Sequence, residues 1–482
     1  MARTSYFDVI VLGCDPAALM AAGLLRRQNY RVLLIGHGGP SAHYGEVGEE
    51  LAAMPPSLPP YGHSAGLDRV FAELKLEDPV HQLGIGKQSE RGLQVITPGD
   101  RIDLRADPEA LAKELDRALP RDSAKLQEQI GQIREHAADL SRTLSDLPQL
   151  PPAGLRDRTR VKRLGRIFEP ESSAAQWHWL LRILGHGTTF QSQLDLDNRA
   201  SAITMYLMTA EIDGMREVPD FMGRLLSCVE KAGAEMELDI IAKELLIEGR
   251  AVIGLEAMRE TRIYKCGCLV CGLPVDQLGE LIPLKKRRRR LRAMAGSVRP
   301  SQSCFCVDLT LPSSALPMGM GRRLLLVQQP EEPLVEENLI QIRRAPHPQR
   351  KDRECVRLSC LVPYKKRSLG REYIAPLQNR MVQAASRLIP FLEENLEGMT
   401  SPFWDQRSND AGHPSPWLLH HTIETDLPVV LGAAVLPPRL AYRNLMLCGA
   451  ETLPGLGMEG RAQNALQVTQ LIGESLKLKK II

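Results

Sequence analysis

The sequence predicts an α/β protein built on a parallel sheet, and two segments at opposite ends of its 482 residues carry that prediction. Residues 9–12 are an apolar run that ends in glycine, residues 17–27 have helical character, and residues 31–36 form a second apolar run. Residues 444–451 repeat the apolar run and lead through a glycine-rich turn into a long helix. The order of strand, tight turn and helix is that of a nucleotide-binding βαβ unit.

Length and composition limit the classes of protein to consider. A chain of 482 residues predicts two or three domain-sized units, and 43% hydrophobic with 25% charged residues is typical of a globular protein. The net charge of +3 is too small to indicate nucleic acid. No apolar run approaches the roughly 20 residues that span a bilayer, and no apolar signal segment opens the sequence. We therefore expect a cytoplasmic protein with reduced cysteines.

A helical region is predicted after residue 107. Asp107 and Pro108 form an N-cap followed by a proline at the first helical position. From Leu126 to Leu147 the apolar residues are spaced alternately by four and three, which is a heptad stripe. Such a stripe either packs on its own domain or contacts a second chain, as a homodimer or a partner helix.

The middle of the chain predicts a return to the first sheet. Residues 219–232 have helical character, and residues 244–247 and 251–255 form a hairpin across residues 248–250. Further strands follow in this block. Residues 291–419 contain short strand-like runs with proline-rich turns and, towards their end, a helix at residues 377–388. The segments assigned to the returning strands are residues 234–238, 263–265 and 269–271.

The first turn departs from the Gly-x-Gly-x-x-Gly pattern that admits a pyrophosphate. Gly13 keeps the tight turn and is followed by Cys14, but Asp15 replaces the second glycine. Ala18 stands at the third position, where alanine is tolerated. The second strand ends in Gly36 rather than in the acid that would hold a ribose.

Asp15 and Pro16 are the serious departure. Together they make a strong helix cap, so the carboxylate should accept hydrogen bonds from the free amides that a phosphate would use. A carboxylate about 5 Å from a phosphate charge costs roughly 3 kcal/mol at an effective dielectric near 20. The segment is therefore either a weakened cofactor site or a self-capped βαβ unit that binds nothing there.

Residues 444–471 resemble the C-terminal flavin motif of the FAD-dependent amine oxidase and phytoene desaturase superfamily, also called protoporphyrinogen-oxidase-like. The block of residues 214–274 is similar to the same superfamily, and three blocks in the right order are more specific than one glycine fingerprint. The resemblance implies a discontinuous Rossmann-type FAD-binding domain and an α+β substrate domain. The first comprises residues 1–59, 206–289 and 416–482; the second comprises residues 60–205 and 290–415, with a helical part at 107–205 and an antiparallel sheet at 290–415.

The resemblance also implies roles for single residues. Glu451 matches an acid on the ribitol or diphosphate side of FAD, and the backbone of Ala242 matches a contact to adenine. Gly457 and Met458 match backbone contacts to the flavin, and Gly460 opens the helix that faces its pyrimidine edge. The complete set of expected cofactor contacts is Gly13, Cys14, Asp15, Ala18, Ala242, Gly449, Glu451, Gly457, Met458 and Gly460. The Gly-Gly-Arg element of the superfamily is missing, since residues 37–41 read His-Gly-Gly-Pro-Ser.

Two functions follow from these observations. The first is an FAD-dependent oxidoreductase of the desaturase or amine oxidase type, transferring hydride from an apolar or amine-bearing small molecule to the flavin. The alternative is a non-catalytic lipid- or protein-binding carrier on the same fold that has lost FAD, as the escort and dissociation-inhibitor proteins of prenylated GTPases have. The sequence names no catalytic residue other than the flavin.

A cysteine cluster and a basic run could each be a functional site, but each also has a purely structural explanation. Cys266, Cys268 and Cys271 have no second knuckle of normal spacing, so we expect buried cysteines and no metal site. Residues 285–292, Lys-Lys-Arg-Arg-Arg-Arg-Leu-Arg, could hold the protein at an anionic membrane surface or form a solvated surface segment.

Overall fold

The structure is a computed structural model. It describes residues 4–37, 43–44, 51–52, 57–76, 92–152, 154–168, 177–195, 201–218, 220–258, 262–347, 349–401 and 418–480. Residues 38–41, which stand where the superfamily has its Gly-Gly-Arg element, lie outside the described residues.

The first sheet has seven strands and joins the beginning, middle and end of the chain. Its centre is the strand Thr4–Leu12, which pairs in parallel with Val32–Ile35 on one side and Ile263–Cys271 on the other. Leu445–Leu447 pairs in parallel with the second half of Ile263–Cys271. The remaining strands are Glu235–Glu237, Ala242–Glu248 and Ala251–Ala257. The α/β fold class is confirmed, and so is the hairpin predicted across residues 248–250.

Helices cover one face of this sheet because their apolar residues form a shared core with it. The helix Pro16–Arg27 is buried along nearly its whole length, and small alanines let Gly457–Lys480 pack closely against it. Ala65–Leu74 and Phe221–Lys231 complete this core. The segment of residues 445–476 therefore packs directly on the first βαβ unit, as the two-ended motif predicts.

The second sheet has eight strands and is mostly antiparallel. Its strands are Leu93–Ile96, Arg101–Leu104, Val298–Pro312, Arg323–Val327, Leu339–Pro346, Arg353–Pro363, Gly398–Thr400 and Leu418–Thr425. The predicted sheet region of residues 290–415 is thus extended by the hairpin of residues 93–104 and by Leu418–Thr425. Since the last of these pairs with Val298–Pro312, residues 418–425 leave the first domain, to which the sequence assigned them.

A group of helices lies beside the second sheet. Its members are Pro108–Ala118, Ser123–Leu144, Leu155–Phe168, Trp179–Gly187 and Ser201–Asp213. The heptad stripe is on Ser123–Leu144, and its residues Leu126, Ile130, Ile133, Ala137, Leu140 and Leu144 are buried within the chain. Ser201–Asp213 packs against the same helix, so it belongs with this group although the sequence placed residues 206–213 in the first domain. The stripe therefore packs on its own domain, and its surface is occupied by the chain itself.

Four further α-helices and two small ribbons remain in the part of the chain that the structure describes. The helix Gly370–Ser386 packs on the core of the second sheet. The other helices are Val275–Glu280, Arg289–Ser297 and Leu392–Asn395, and the ribbons are His43–Tyr44 with Leu51–Ala52 and Ser57–Leu58 with Arg216–Glu217. Among the described residues, none of the helices has the length and apolar character needed to cross a bilayer.

Candidate functional site

The predicted tight turn is present at Gly13. Its backbone has φ of 95°, and its amide donates to the carbonyl of Ile35 at 2.8 Å. A Cβ at this position would lie 2.8 Å from Cδ2 of Leu273 and 3.2 Å from the carbonyl carbon of Gly272, and this φ value is strained for any residue other than glycine. The side chain of Leu273 therefore packs directly against the turn at Gly13.

Asp15 caps the first helix, as the sequence predicts. Its Oδ1 accepts from the Ala17 amide at 2.8 Å, and Pro16 supplies no amide of its own. The second carboxylate oxygen, Oδ2, accepts from Nε of Arg461 at 3.3 Å, and both side chains are only about 15% exposed (14% and 15%). The helix N-terminus, where a diphosphate would bind, thus carries an internal ion pair between the two ends of the fold.

Contacts within the chain also occupy the end of the second strand, Val32–Ile35. A Cβ at Gly36 would lie 2.2 Å from the carbonyl oxygen of Leu238, so no ribose-binding acid fits at this position. The next residue, His37, has φ of 53° and accepts through Nδ1 from the amide of Ala242 at 3.1 Å. That amide belongs to the residue whose backbone, by the resemblance, would contact adenine.

Glu451 is engaged by a neighbouring helix. Its Oε2 accepts from the amide of Val275 at 2.8 Å, at the first residue of Val275–Glu280. Burial, with a smaller contribution from the negative charges of Asp276 and Asp15, raises the pKa of Glu451 to about 7. The carboxylate therefore caps a helix of its own chain at the position that the resemblance assigns to ribitol or diphosphate.

Glu459 is a functional candidate that sequence reasoning missed. It is fully buried, and its two oxygens accept from the amides of Gly66 at 2.8 Å and Leu67 at 2.9 Å. Gln463 also donates to it at 2.7 Å, yet burial raises the pKa of Glu459 to about 7. The available signal was an acid inside the Gly-Met-Glu-Gly turn, directly before Gly460.

The glycines of the late turn are required by backbone packing. A Cβ at Gly457 would lie 2.6 Å from the carbonyl oxygen of Gln191, and one at Gly460 would lie 2.1 Å from that of Leu453. The last helix begins at Gly457, three residues before the predicted start at Gly460. Met458 is half-buried and packs against the core of the first sheet.

The other predicted contacts are internal as well. Ala18 is buried, and its Cβ would lie 2.6 Å from a Cβ added to Gly272. Gly449 donates through its amide to Oδ1 of Asn464 at 3.0 Å, and a Cβ there would lie 3.8 Å from Cγ of Asp15. Cys14 lies close to the same turn, and burial raises its pKa to about 11.

These contacts test whether the residues fit FAD. The two ends do meet, but the groups that would face the diphosphate and adenine are bonded to Asp15, Arg461 and His37. Cavities of about 620 and 440 Å³ are present elsewhere, and none of the ten expected cofactor contacts lines either of them. In this arrangement the residues do not fit the ADP half of FAD.

The cysteine cluster and the basic run are two further features that the sequence singled out. Cys271 lies beside the first turn, since it pairs with Leu12 and its carbonyl accepts from the Cys448 amide at 2.7 Å. Cys266, Cys268 and Cys271 are buried on a central strand, and burial raises the pKa of Cys271 to about 12. Within the described ranges, no group of three or more metal-binding side chains is assembled. In the basic run, Arg287 donates to the Ile282 carbonyl at 2.9 Å and Arg288 lies over the Tyr442 ring at 5.1 Å. Its other cations, Lys285, Lys286, Arg289, Arg290 and Arg292, are exposed.

Comparison with known proteins identifies the fold. No protein-family model matches the chain, and no curated protein does. Among solved structures, an oxidoreductase from Methanosarcina mazei has a TM-score of 0.58 at 12% identity, covering 97% of this chain and 100% of that one. Putrescine oxidase with bound putrescine has a TM-score of 0.57 at 14% identity over 99% and 100% of the two chains. Cyclohexylamine oxidase from Brevibacterium oxydans has a TM-score of 0.57 at 13% identity over 98% and 99%.

The chain has the amine-oxidase fold. The resemblance seen in the sequence is confirmed at this level, because the similarity extends over nearly the whole length of each chain. At 12–14% identity the similarity concerns the fold, and the chemistry of the site depends on the side chains described above.

Proposed function

We propose that this chain is a non-catalytic binding protein, a carrier or scaffold for a lipid or protein partner, on the amine-oxidase fold. The observation that carries the proposal is the pairing of Asp15 with both the Ala17 amide and Arg461. A dinucleotide diphosphate needs those helix amides and repels that carboxylate. The chain thus supplies its own anion at the place where the cofactor would bring one.

Two further contacts support the same conclusion. His37 accepts the hydrogen bond from the Ala242 amide, and Glu451 accepts the one from Val275. Glu459 also caps the helix Ala65–Leu74. A hydrogen bond contributes about 0.5–1.5 kcal/mol between neutral groups and about 1.5–3 kcal/mol to a charged group, so FAD would have to replace several such contacts before it gained any affinity.

A second candidate is the FAD-dependent oxidoreductase, acting on an apolar or amine-bearing small molecule. The observation that favours it is the similarity to two amine oxidases and an oxidoreductase over almost the full chain. Bound FAD would supply a hydride acceptor. This function requires Asp15 to turn away from the helix, which would leave Arg461 free for the diphosphate, and it requires His37 to release the Ala242 amide.

Flavin binding separates the two functions. The purified protein is incubated with excess FAD, passed through a desalting column and examined by visible absorption. We expect a colourless protein. Two visible flavin bands that remain with the protein and appear as free FAD after heating would overturn the proposal in favour of the oxidoreductase.

A paired variant tests which side chains exclude the cofactor. Asp15→Gly together with His37→Ala should raise FAD affinity about a hundredfold, since removal of a facing charge is worth roughly 3 kcal/mol. Asp107→Gly is the matched control, because Asp107 also precedes a proline and caps its helix through the Ala110 amide at 2.8 Å. Equal FAD affinity in the paired variant and the control would show that these side chains do not exclude the cofactor.

A further inference from the structure

The helix Leu155–Phe168 separates most of its cations from its apolar residues, while Asp157 and Arg160 are half-buried on the apolar side. At 100° per residue, Val161, Leu164, Ile167 and Phe168 fall on one side, and they pack on a core formed with other helices and with the late turn. Only Phe168 among all its residues is fully buried. The helix therefore lies on the protein surface, held by one apolar side.

The opposite side is a cationic face. It occupies about 160° of the helix circumference at 3.6 residues per turn. Its cations, all exposed, are Arg156, Arg158, Lys162, Arg163 and Arg166. In the described part of the chain none of them has an ion pair or hydrogen bond to a side chain, whereas Arg160, beside the face, is paired with Asp146 at 2.8 Å. Among the residues that the structure describes, the face thus presents five cations to solvent without an ion-pair partner.

An apolar residue lies in the middle of this face. Leu155 projects between the directions of Lys162 and Arg166 and is 81% exposed. An exposed leucine is not stabilised by contact with water. At a membrane the surrounding cations would contact lipid headgroups, and the leucine would be buried in the apolar boundary beneath them. The face offers no aromatic side chain on which a nucleic acid base could stack.

We propose that the cationic face of Leu155–Phe168 binds an anionic membrane surface. The cations contact lipid phosphates and carboxylates, and Leu155 enters the headgroup boundary. This inference does not depend on the proposed function, since a carrier and an oxidoreductase could each be held at a membrane in this way. It also concerns a different segment from residues 285–292, which precede and open the helix Arg289–Ser297.

The test is flotation of the full chain with vesicles. Vesicles of phosphatidylcholine alone are compared with vesicles that also contain phosphatidylserine, and we expect binding only to the second. Each cation near an anionic surface contributes about fivefold to the partition coefficient, so Lys162→Gln, Arg163→Gln and Arg166→Gln together should lower it about a hundredfold. Leu155→Ala should lower it several-fold without changing its dependence on salt.

The matched control neutralises the same number of charges elsewhere. Lys113 and Lys125 are exposed on two other helices and Lys351 in a turn, and their replacement by glutamine should leave binding nearly unchanged. Thermal unfolding of each variant checks that the fold is kept. The proposal is overturned if the face variant binds like the control, if phosphatidylserine makes no difference, or if single-stranded DNA is bound through the same residues while vesicles are not.

Discussion

Nε of Arg461 lies 3.3 Å from Oδ2 of Asp15, and the two residues are 446 positions apart in the sequence. The contact joins the N-cap of the first helix to the fifth residue of the last one. Because both side chains are largely withdrawn from water, the pair is screened less than a surface ion pair. Removing the pair should therefore lower the free energy of unfolding of the whole first domain.

Arg461→Gln is expected to lower the free energy of unfolding by about 1–3 kcal/mol, because the Asp15 carboxylate loses its partner. Asp15→Ser keeps a helix cap and removes the charge. Chemical denaturation of both single variants and the double variant gives the coupling energy of the pair. As a control, the exposed pair of Arg69 and Glu73 should show a coupling below about 0.5 kcal/mol. A coupling near zero for Asp15 and Arg461 would mean that the pair does not form.

Gly36→Ala is expected to destabilise the protein by about 1–3 kcal/mol, because its Cβ would meet the Leu238 carbonyl oxygen at 2.2 Å. A ribose-binding acid therefore cannot simply be restored by mutation. Gly131→Ala is the control, since nothing lies within 4 Å of its Cβ position in the helix Ser123–Leu144. It should stabilise the protein by about 0.5–1 kcal/mol. Equal effects in denaturation would contradict this account of the second strand.

Two buried carboxyls should make stability depend on pH. The pKa values of Glu451 and Glu459 are raised from 4.5 to about 7, so the folded state binds their protons more tightly than the unfolded chain. Each contribution is fully present below pH 4.5 and is lost as the pH rises to about 7 and beyond. The full effect is on the order of 3 kcal/mol for each group.

The measurement is denaturation of wild type and of the Glu451→Gln, Glu459→Gln double variant at several pH values from acid to slightly alkaline. Glutamine keeps an acceptor for the Val275 and Gly66 amides but does not titrate. The double variant should lose less stability across this range. Glu474→Gln, exposed on the last helix, should follow wild type. Parallel pH profiles for all three proteins would exclude proton uptake at the two buried sites.

Membrane contact through residues 285–292 remains a prediction, and the structure shows which residues test it. Arg287 and Arg288 are held by internal contacts, so their replacement would disturb the fold. Lys285, Lys286, Arg289 and Arg290 are exposed beside Leu284, which is 79% exposed. Their combined change to glutamine should weaken flotation with phosphatidylserine vesicles at least tenfold if this run contacts the membrane. Unchanged flotation would assign the run to a solvated surface.

Much of the architecture could be predicted from the sequence because it depends on local patterns. The apolar runs ending in Gly13 and before Gly449 identify buried parallel strands, and the Asp-Pro pair at Asp15 identifies the self-capped helix that the structure contains. The heptad stripe correctly identified the helix Ser123–Leu144, but periodicity alone could not distinguish burial in the chain from contact with a partner.

The internal contacts that occupy the expected cofactor site could not be predicted from local patterns. The partners of Asp15, His37 and Glu459 lie 446, 205 and 393 positions away, and no spacing in the sequence encodes such contacts. The glycines at Gly457 and Gly460 matched a flavin motif, yet each is required by a nearby carbonyl group. A small residue at a close approach does not say whether a cofactor or the backbone approaches it.

The short strand Leu445–Leu447 has a consequence for how this protein is made. It covers the outer edge of Ile263–Cys271, and the helix after it covers Pro16–Arg27, so neither surface is protected until those residues have been translated. At about 5–20 residues per second, the ribosome needs roughly half a minute to a minute and a half for the approximately 450 residues between the end of Pro16–Arg27 and the end of Gly457–Lys480. During synthesis the nascent first unit therefore exposes an unpaired edge and an apolar helix, and an exposed edge of this kind can pair with another chain.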